Sequence, residues 1–287
     1  MAGNTQERKL GYSIEEYPEG IVLAVDKPWR WTSADVIRKV KFAAFRHFGT
    51  KHLKVGHAGT LDPLATGVLL ICIGKATKRA QELQDHDKEY VADIAFGATT
   101  PSYDLEKEVD RLYPYEHITR EAVEAVLPSF LGEQEQVAPL FSAKSVDGVR
   151  AYEMARKMYK AMKRGETSSD FDAAAIETLQ KARIGIDKLE LVDFFPSGKR
   201  IPEARGEISG ASSRINVADT SALDLPVARV RIVCSKGTYI RAFARDLGEA
   251  LGSGAHLAAL RRTRSGEYSV ADALSLTDAL SLLAPPQ

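Results

Sequence analysis

Two hydrophobic rhythms run along the chain. Ile21–Val25 has the length and composition of a short strand and leads into a turn at Lys27-Pro28. Thr32 or Ser33 can then cap a helix whose apolar stripe is Val36, Ile37, Val40 and Ala44. Gly67–Ile73 is a continuous apolar run of strand length, the pattern of a strand buried on both faces. Tyr90, Ala92, Ile94 and Phe96 alternate, and so do Ala228, Val230, Ile232 and Cys234, which predicts two half-buried strands. Arg183–Phe194 alternates too, with Ile184 and Ile186 and then Leu189 and Leu191. Thr119 precedes an amphipathic helix carrying Val123, Val126, Leu127, Phe130 and Leu131 on one side, with Gly132 closing it. Ile240, Phe243, Ala244, Leu247 and Leu251 mark a last helix ended by Gly252.

Strands and helices mix without a regular βαβ order, so the expected class is α+β. Residues 1–19 read as a polar N-terminal segment, 20–275 as one domain, and 276–287 as a C-terminal tail, with the N-terminal segment and Leu283–Gln287 expected to be loose. Two insertions interrupt the domain, at 161–180 and 196–226. Lys163–Asp172 is charged and Ser-rich, Pro196–Leu225 is rich in Gly, Ser, Pro and Ala, and both are expected to be mobile surface loops.

Composition narrows the class. A chain of 287 residues, 44% hydrophobic and 27% charged, can bury a core without a disulfide or metal staple. Cys72 and Cys234 lie far apart in apolar runs, which speaks for two buried hydrophobes in a reducing compartment and against a thiolate site. The start carries no apolar signal region, and GVLLICIG is far short of the roughly 20 residues a membrane span requires. The expectation is a soluble, cytoplasmic protein.

Charge changes the picture once it is divided by segment. The totals balance, 39 basic against 39 acidic residues. Between Lys27 and Lys54, however, eight basic residues face one acid, Asp35, while Cys234–Gly266 holds six against Asp246 and Glu249. Glu82–Glu135 carries fourteen acids and four bases. Two basic segments that met in space would make a phosphate-binding surface; each is also what a solvated helix face looks like.

The chemistry concentrates in residues 54–78, KVGHAGTLDPLATGVLLICIGKATK. Asp62 there fits two roles, a reactive carboxylate or the cap of a short helix with Pro63 at its first position. His57 is equally open, as a site residue or as a turn residue bonding its own backbone. The GHAGTLDPLATGVL stretch resembles the GH-x-G-x-LDPLATG signature of the TruB family of tRNA pseudouridine synthases nearly residue for residue. Further segments are similar in the same order: Val25-Asp26-Lys27-Pro28 with Thr32-Ser33, Lys88-Glu89-Tyr90, and Gly97-Ala98-Thr99-Thr100 with Asp104. They continue through Gln136-Val137-Ala138-Pro139 with Ser142-Ala143, Gly148 to Arg156, Cys234–Arg241 (CSKGTYIR), and Gly254-Ala255-His256 with Leu260-Arg261-Arg262. Arg30 and Ser145 depart from the family pattern, where glycine and lysine are usual.

The resemblance implies a pseudouridine-synthase-like, mainly antiparallel sheet, without the C-terminal PUA-type domain many members carry. It implies isomerisation of uridine 55 (tRNA numbering) in the T arm of tRNA, with no cofactor, no metal, no guide RNA and a monomeric enzyme. Asp62 would be the nucleophile and Arg241 its always-charged partner. Tyr90 would stack on the target base, although it also begins an alternating strand and could be a core aromatic. The base must leave its stack to react, and His57 would fill the space it vacates. Tyr239, two residues before Arg241 on a segment read as extended, would line the pocket with Leu260. Lys27, Lys236, Arg261 and Arg262 would contact phosphates. Asp104 could be structural or orient the site, and Asp246 is expected to pair with a neighbouring arginine. A guide-directed relative and a tRNA-folding chaperone are the competing functions.

Overall fold

The computed structural model describes residues 10–139, 141, 145–146, 149–150, 181–198 and 215–285. In chain order these form β1 (Ile21–Lys27), α1 (Ser33–His47), β2 (Val55–Ala58), β3 (Ala65–Ile73), α2 (Ala80–Asp85), β4 (Lys88–Phe96), β5 (Ala98–Thr99) and β6 (Arg111–Leu112). There follow α3 (Arg120–Val126), β7 (Gly132–Val137), β8 (Ser145–Val146), β9 (Val149–Arg150), β10 (Lys181–Phe195) and β11 (Val227–Cys234). The remainder is α4 (Ile240–Ala250), β12 (Ala255–Ser265), β13 (Tyr268–Ser269), β14 (Leu274–Ser275) and α5 (Leu276–Leu282). The architecture is mixed α/β with mainly antiparallel pairing, the class expected. No helix among the described residues is long and apolar enough to cross a membrane.

Two compact units divide the chain, the first holding the described residues up to Tyr90, Ile215 and those from Arg261 onward, the second the rest. Strands β4 and β12 contribute residues to both. In the first unit the strands run β14, β1, β3, β12, with β2 also on β3 and β13 on β12. β1 pairs antiparallel with β3 so that Lys27 faces Gly67, while β2 places His57 opposite Ile71. Flanked on both edges, β3 is buried at all nine positions, as its unbroken apolar run predicts. α1 opens with a capping box: Thr32 Oγ1 accepts from the Asp35 N–H, and the Asp35 carboxylate accepts from the Thr32 N–H. Its buried stripe is Val36, Val40 and Ala44, extended by Ser33 and His47.

In the second unit the order is β12, β4, β11, β10, β7. The β10–β11 register shifts between Ile186 and Lys188. That bulge explains why the apolar alternation of β10 changes phase, from 184 and 186 to 189 and 191. A core cluster of Ala95, Ala98, Leu225 and Val227 lies in this unit.

Several expectations are corrected. α3 stops at Val126; Leu127–Phe130 continues as a 3-10 turn with Pro128 in its first turn, Gly132 starts β7, and Leu131 is exposed. Residues 161–180 and 199–214 lie outside the described residues, but 215–226 is not a loose loop. Ala218 and Leu225 are buried, and the Ala218 N–H donates to Leu105 O at 2.7 Å. The supposed tail forms α5, with Ala279 and Leu283 buried. Both cysteines are buried and free, as expected.

Candidate active site

Asp62 sits in the connection between the paired strands β2 and β3. Its carbonyl accepts from the Ala65 N–H at 3.1 Å, closing a four-residue turn with Pro63 second. No helix follows, since β3 begins at Ala65, so Asp62 is not a helix cap.

Three buried side chains hold that turn. Ser33 Oγ accepts from Leu61 N–H and donates to Leu61 O, both at 2.9 Å. Lys27 Nζ donates to the carbonyls of Trp31 (2.6 Å), Pro28 (3.1 Å) and Pro63 (3.2 Å). Arg262 donates to Val68 O at 2.7 Å and Gly59 O at 3.1 Å, with a longer contact to Thr60 O. Lys27 is 0% and Arg262 2% exposed. Their burial is at odds with the phosphate contacts expected of them. Each head group is spent on carbonyls because a buried cation is tolerated only when its donors are used. Two motif glycines adopt left-handed backbone here, and Gly67 lets the Arg262 backbone come close. Gly59 and Gly67 have φ of 89° and 104°, and a Cβ on Gly67 would lie 2.1 Å from Arg262 O.

His57 lies on β2 and not in a turn. Burial first, and then the Arg262 charge, push its pKa below the ordinary histidine value, so the ring is neutral at pH 7. Its Nδ1 is buried and has no hydrogen-bond partner among the described residues. Tyr90 is the third residue of β4 and nearly buried. Arg261 differs from its neighbour. It makes a two-pronged pair with Asp26 (2.7 and 3.2 Å), touches Thr66 Oγ1 at 3.2 Å and stays partly exposed.

The second unit carries the other candidates. Arg241 lies in the first turn of α4, and Tyr239 is that helix's N-cap residue, so the extended segment expected to align them is absent. Arg241 is buried; Nη1 donates to Ser102 O at 3.2 Å and Nη2 to Phe141 O at 2.8 Å, while Nε lies 3.7 Å from Asp104 Oδ2. Asp104 is itself fixed, its Oδ1 accepting from Ser102 Oγ (2.6 Å) and Glu106 N–H (2.9 Å). Asp104 is thus a fixed carboxylate lying beside the Arg241 guanidinium. Gln136 clips the Tyr239 peptide on both sides, accepting from its N–H at 2.8 Å and donating to its carbonyl at 3.2 Å. Lys236 stands exposed in the turn before α4, and Leu260 is partly buried on β12. Asp246 pairs with Arg245 at 2.7 Å, as expected, and burial nevertheless raises its pKa. Gln136 and Ser33, known from the sequence only as members of motifs, hold backbone groups at Tyr239 and Leu61.

A cavity of about 500 Å³ in the first unit, lined by Ile14, Tyr17, His52, Lys54 and Lys78 among others, opens beside Gly74, past the end of β3 remote from Asp62. None of the candidate residues lines it.

Comparison with known proteins gives this geometry a family. Residues 46–192 match the profile described as TruB family pseudouridylate synthase (N terminal domain). The chain belongs to that family. Residues 241–284 match a second profile, the tRNA pseudouridylate synthase B C-terminal domain, which includes α5. A Phocaeicola vulgatus protein named tRNA pseudouridine synthase B is 49% identical over 260 residues, 91% of this chain and 92% of that one. A Flavobacterium johnsoniae protein of the same name is 42% identical over 264 residues, covering 92% and 96%. A chain in the crystal structure of a Cbf5-Nop10-Gar1 complex is similar in fold, with a TM-score of 0.58 at 24% identity over 97% of this chain. This chain spans 60% of that longer one. The family recognised in GHAGTLDPLATG is therefore the right one, and the chain is a pseudouridine synthase.

Proposed function

We propose that this enzyme converts uridine 55 in the T arm of tRNA to pseudouridine, in the cytoplasm and without a guide RNA. The bond from N1 to C1′ breaks, the base turns, C5 bonds to C1′, and the C5 proton is exchanged for one on N1. The change is an isomerisation that needs no oxidant. Asp62 is the nucleophile, Arg241 keeps negative charge favourable in the site, and Tyr90 stacks on the extruded base. Neutral His57 occupies the gap left in the RNA, Tyr239 and Leu260 wall the pocket, and exposed Lys236 and partly exposed Arg261 meet phosphates. A tRNA-folding role would use the same grip.

The observation that carries this reading is the Asp62 turn, fixed through backbone contacts by Ser33, Lys27 and Arg262. A nucleophile on such a support is already placed before substrate arrives. The relatives at 42–49% identity, both named for tRNA, favour a free tRNA substrate over a guide-directed one. Release of tritium from tRNA labelled at uridine C5, with protein and transcript alone, tests this. No release without a guide RNA contradicts it.

Two variants probe the parts. Asp104→Ala is expected to lower the saturated rate on the order of 10²-fold through a displaced Arg241, with KM little changed. A fall in KM-limited rate alone would make Asp104 irrelevant to Arg241. Arg261→Ala is expected to weaken tRNA binding and reduce the salt slope by roughly one, with the saturated rate kept. An unaltered slope removes Arg261 from the phosphate contacts.

A further inference from the structure

The outward side of α1 takes no part in holding the Asp62 turn. Turned away from the buried stripe are Arg38, Lys39, Lys41, Phe42 and Arg46, all exposed. Phe42 is 64% exposed, the highest value for a large apolar side chain among the described residues. Cations share its side of the helix. The Arg46 guanidinium lies 5.9 Å from the Phe42 ring centroid, and Lys41 Nζ lies 5.4 Å from that of Phe45. Arg38 is paired with Asp35 at 3.0 Å, but Lys39, Lys41 and Arg46 make no ion pair among the described residues.

An open aromatic ring among uncompensated cations is the composition of a single-strand nucleic-acid surface, on which a base stacks while phosphates meet the charges. A protein groove binding a helix would instead need an apolar stripe at helical spacing. Outward-facing α1 offers Phe42 within a cationic field, so charge complementarity favours RNA.

Position supports the same partner. The Ser33–Leu61 hydrogen bonds tie the start of α1 beside the Asp62 turn. At 1.5 Å per residue, Phe42 lies about 14 Å and Arg46 about 20 Å farther along the helix. We propose that this face of α1 docks RNA nucleotides lying beyond the target uridine, with Phe42 stacking on a base and Lys39, Lys41 and Arg46 meeting phosphates. The proposal rests on Asp62 acting on RNA.

The test uses the full chain and an unmodified tRNA transcript, with Kd measured across a salt series. For the combined Lys39→Ala, Lys41→Ala and Arg46→Ala variant, the expected result is binding weaker by roughly tenfold or more, with a salt slope shallower by about two to three. Phe42→Ala is expected to weaken binding about fivefold or more at an unchanged slope, and Phe42→Trp to restore it. Melting temperatures should match wild type, because all four side chains are exposed. Wild-type affinity and slope in both the triple variant and Phe42→Ala would overturn the proposal, including the case in which this face docks a protein. Failure of Phe42→Trp to rescue would overturn the stacking role. These measurements need no turnover. A wild type that binds through α1 yet forms no pseudouridine would sink the reading of Asp62 and leave the docking surface standing.

Discussion

Asp62→Asn is expected to abolish pseudouridine formation while leaving tRNA affinity within about twofold of wild type. The amide has the shape of the carboxylate but lacks its charge and nucleophilicity. Loss of a nucleophile costs on the order of 10⁴-fold or more. The turn itself should survive, since three backbone contacts remain: Ala65 N–H to Asp62 O, Lys27 to Pro63 O and Ser33 to Leu61. Single-turnover conversion of a tRNA transcript, with Kd measured in parallel, separates the two quantities. A variant rate within about tenfold of wild type would remove Asp62 from the chemistry.

The second large effect is on stability. Arg262→Met keeps much of the side-chain volume but deletes the donors that serve Val68 O and Gly59 O in the interior. Two buried carbonyls then lose their partners, at about 1–3 kcal/mol each. For a chain of this size a loss of about 3 kcal/mol lowers the Tm by roughly 6–12 °C. Gly59 lies on the chain leading to Asp62, so the rate should fall as well, even well below the melting transition. An unchanged Tm would mean that water satisfies those carbonyls and that Arg262 is not a structural clamp. Arg261→Ala is the contrasting neighbour, expected to leave Tm within a few degrees, because its ion pair with Asp26 is partly exposed.

Local rhythm made much of the fold legible. β3 follows from nine residues of unbroken apolar character, and α1 from its capping residues and stripe. β12 left no such trace because the inward positions of that strand include His256 and Arg262, which break the apolar alternation. The same fact misled the reading of charge. A count of basic residues cannot tell an arginine that donates to interior carbonyls from one that faces water, so by sequence Arg262 and Lys27 look no different from Lys236. Tyr239 and Arg241 looked like neighbours on an extended segment, yet a turn at Gly237 starts α4 immediately after Tyr239. Asp104 is 137 residues before Arg241 in the chain, and only the fold joins them. The signature around Asp62 is legible as a family motif because it is one continuous stretch, whereas its residues alone leave Asp62 open between a reactive carboxylate and a helix cap.

The proposal that this chain, alone, makes pseudouridine at one position of tRNA can be tested on the RNA product itself. The most direct test incubates purified wild-type protein with an unmodified tRNA transcript and maps pseudouridine at single-nucleotide resolution. Near-stoichiometric conversion of uridine 55 and of no other uridine is expected. Conversion elsewhere, or none at uridine 55, would contradict it.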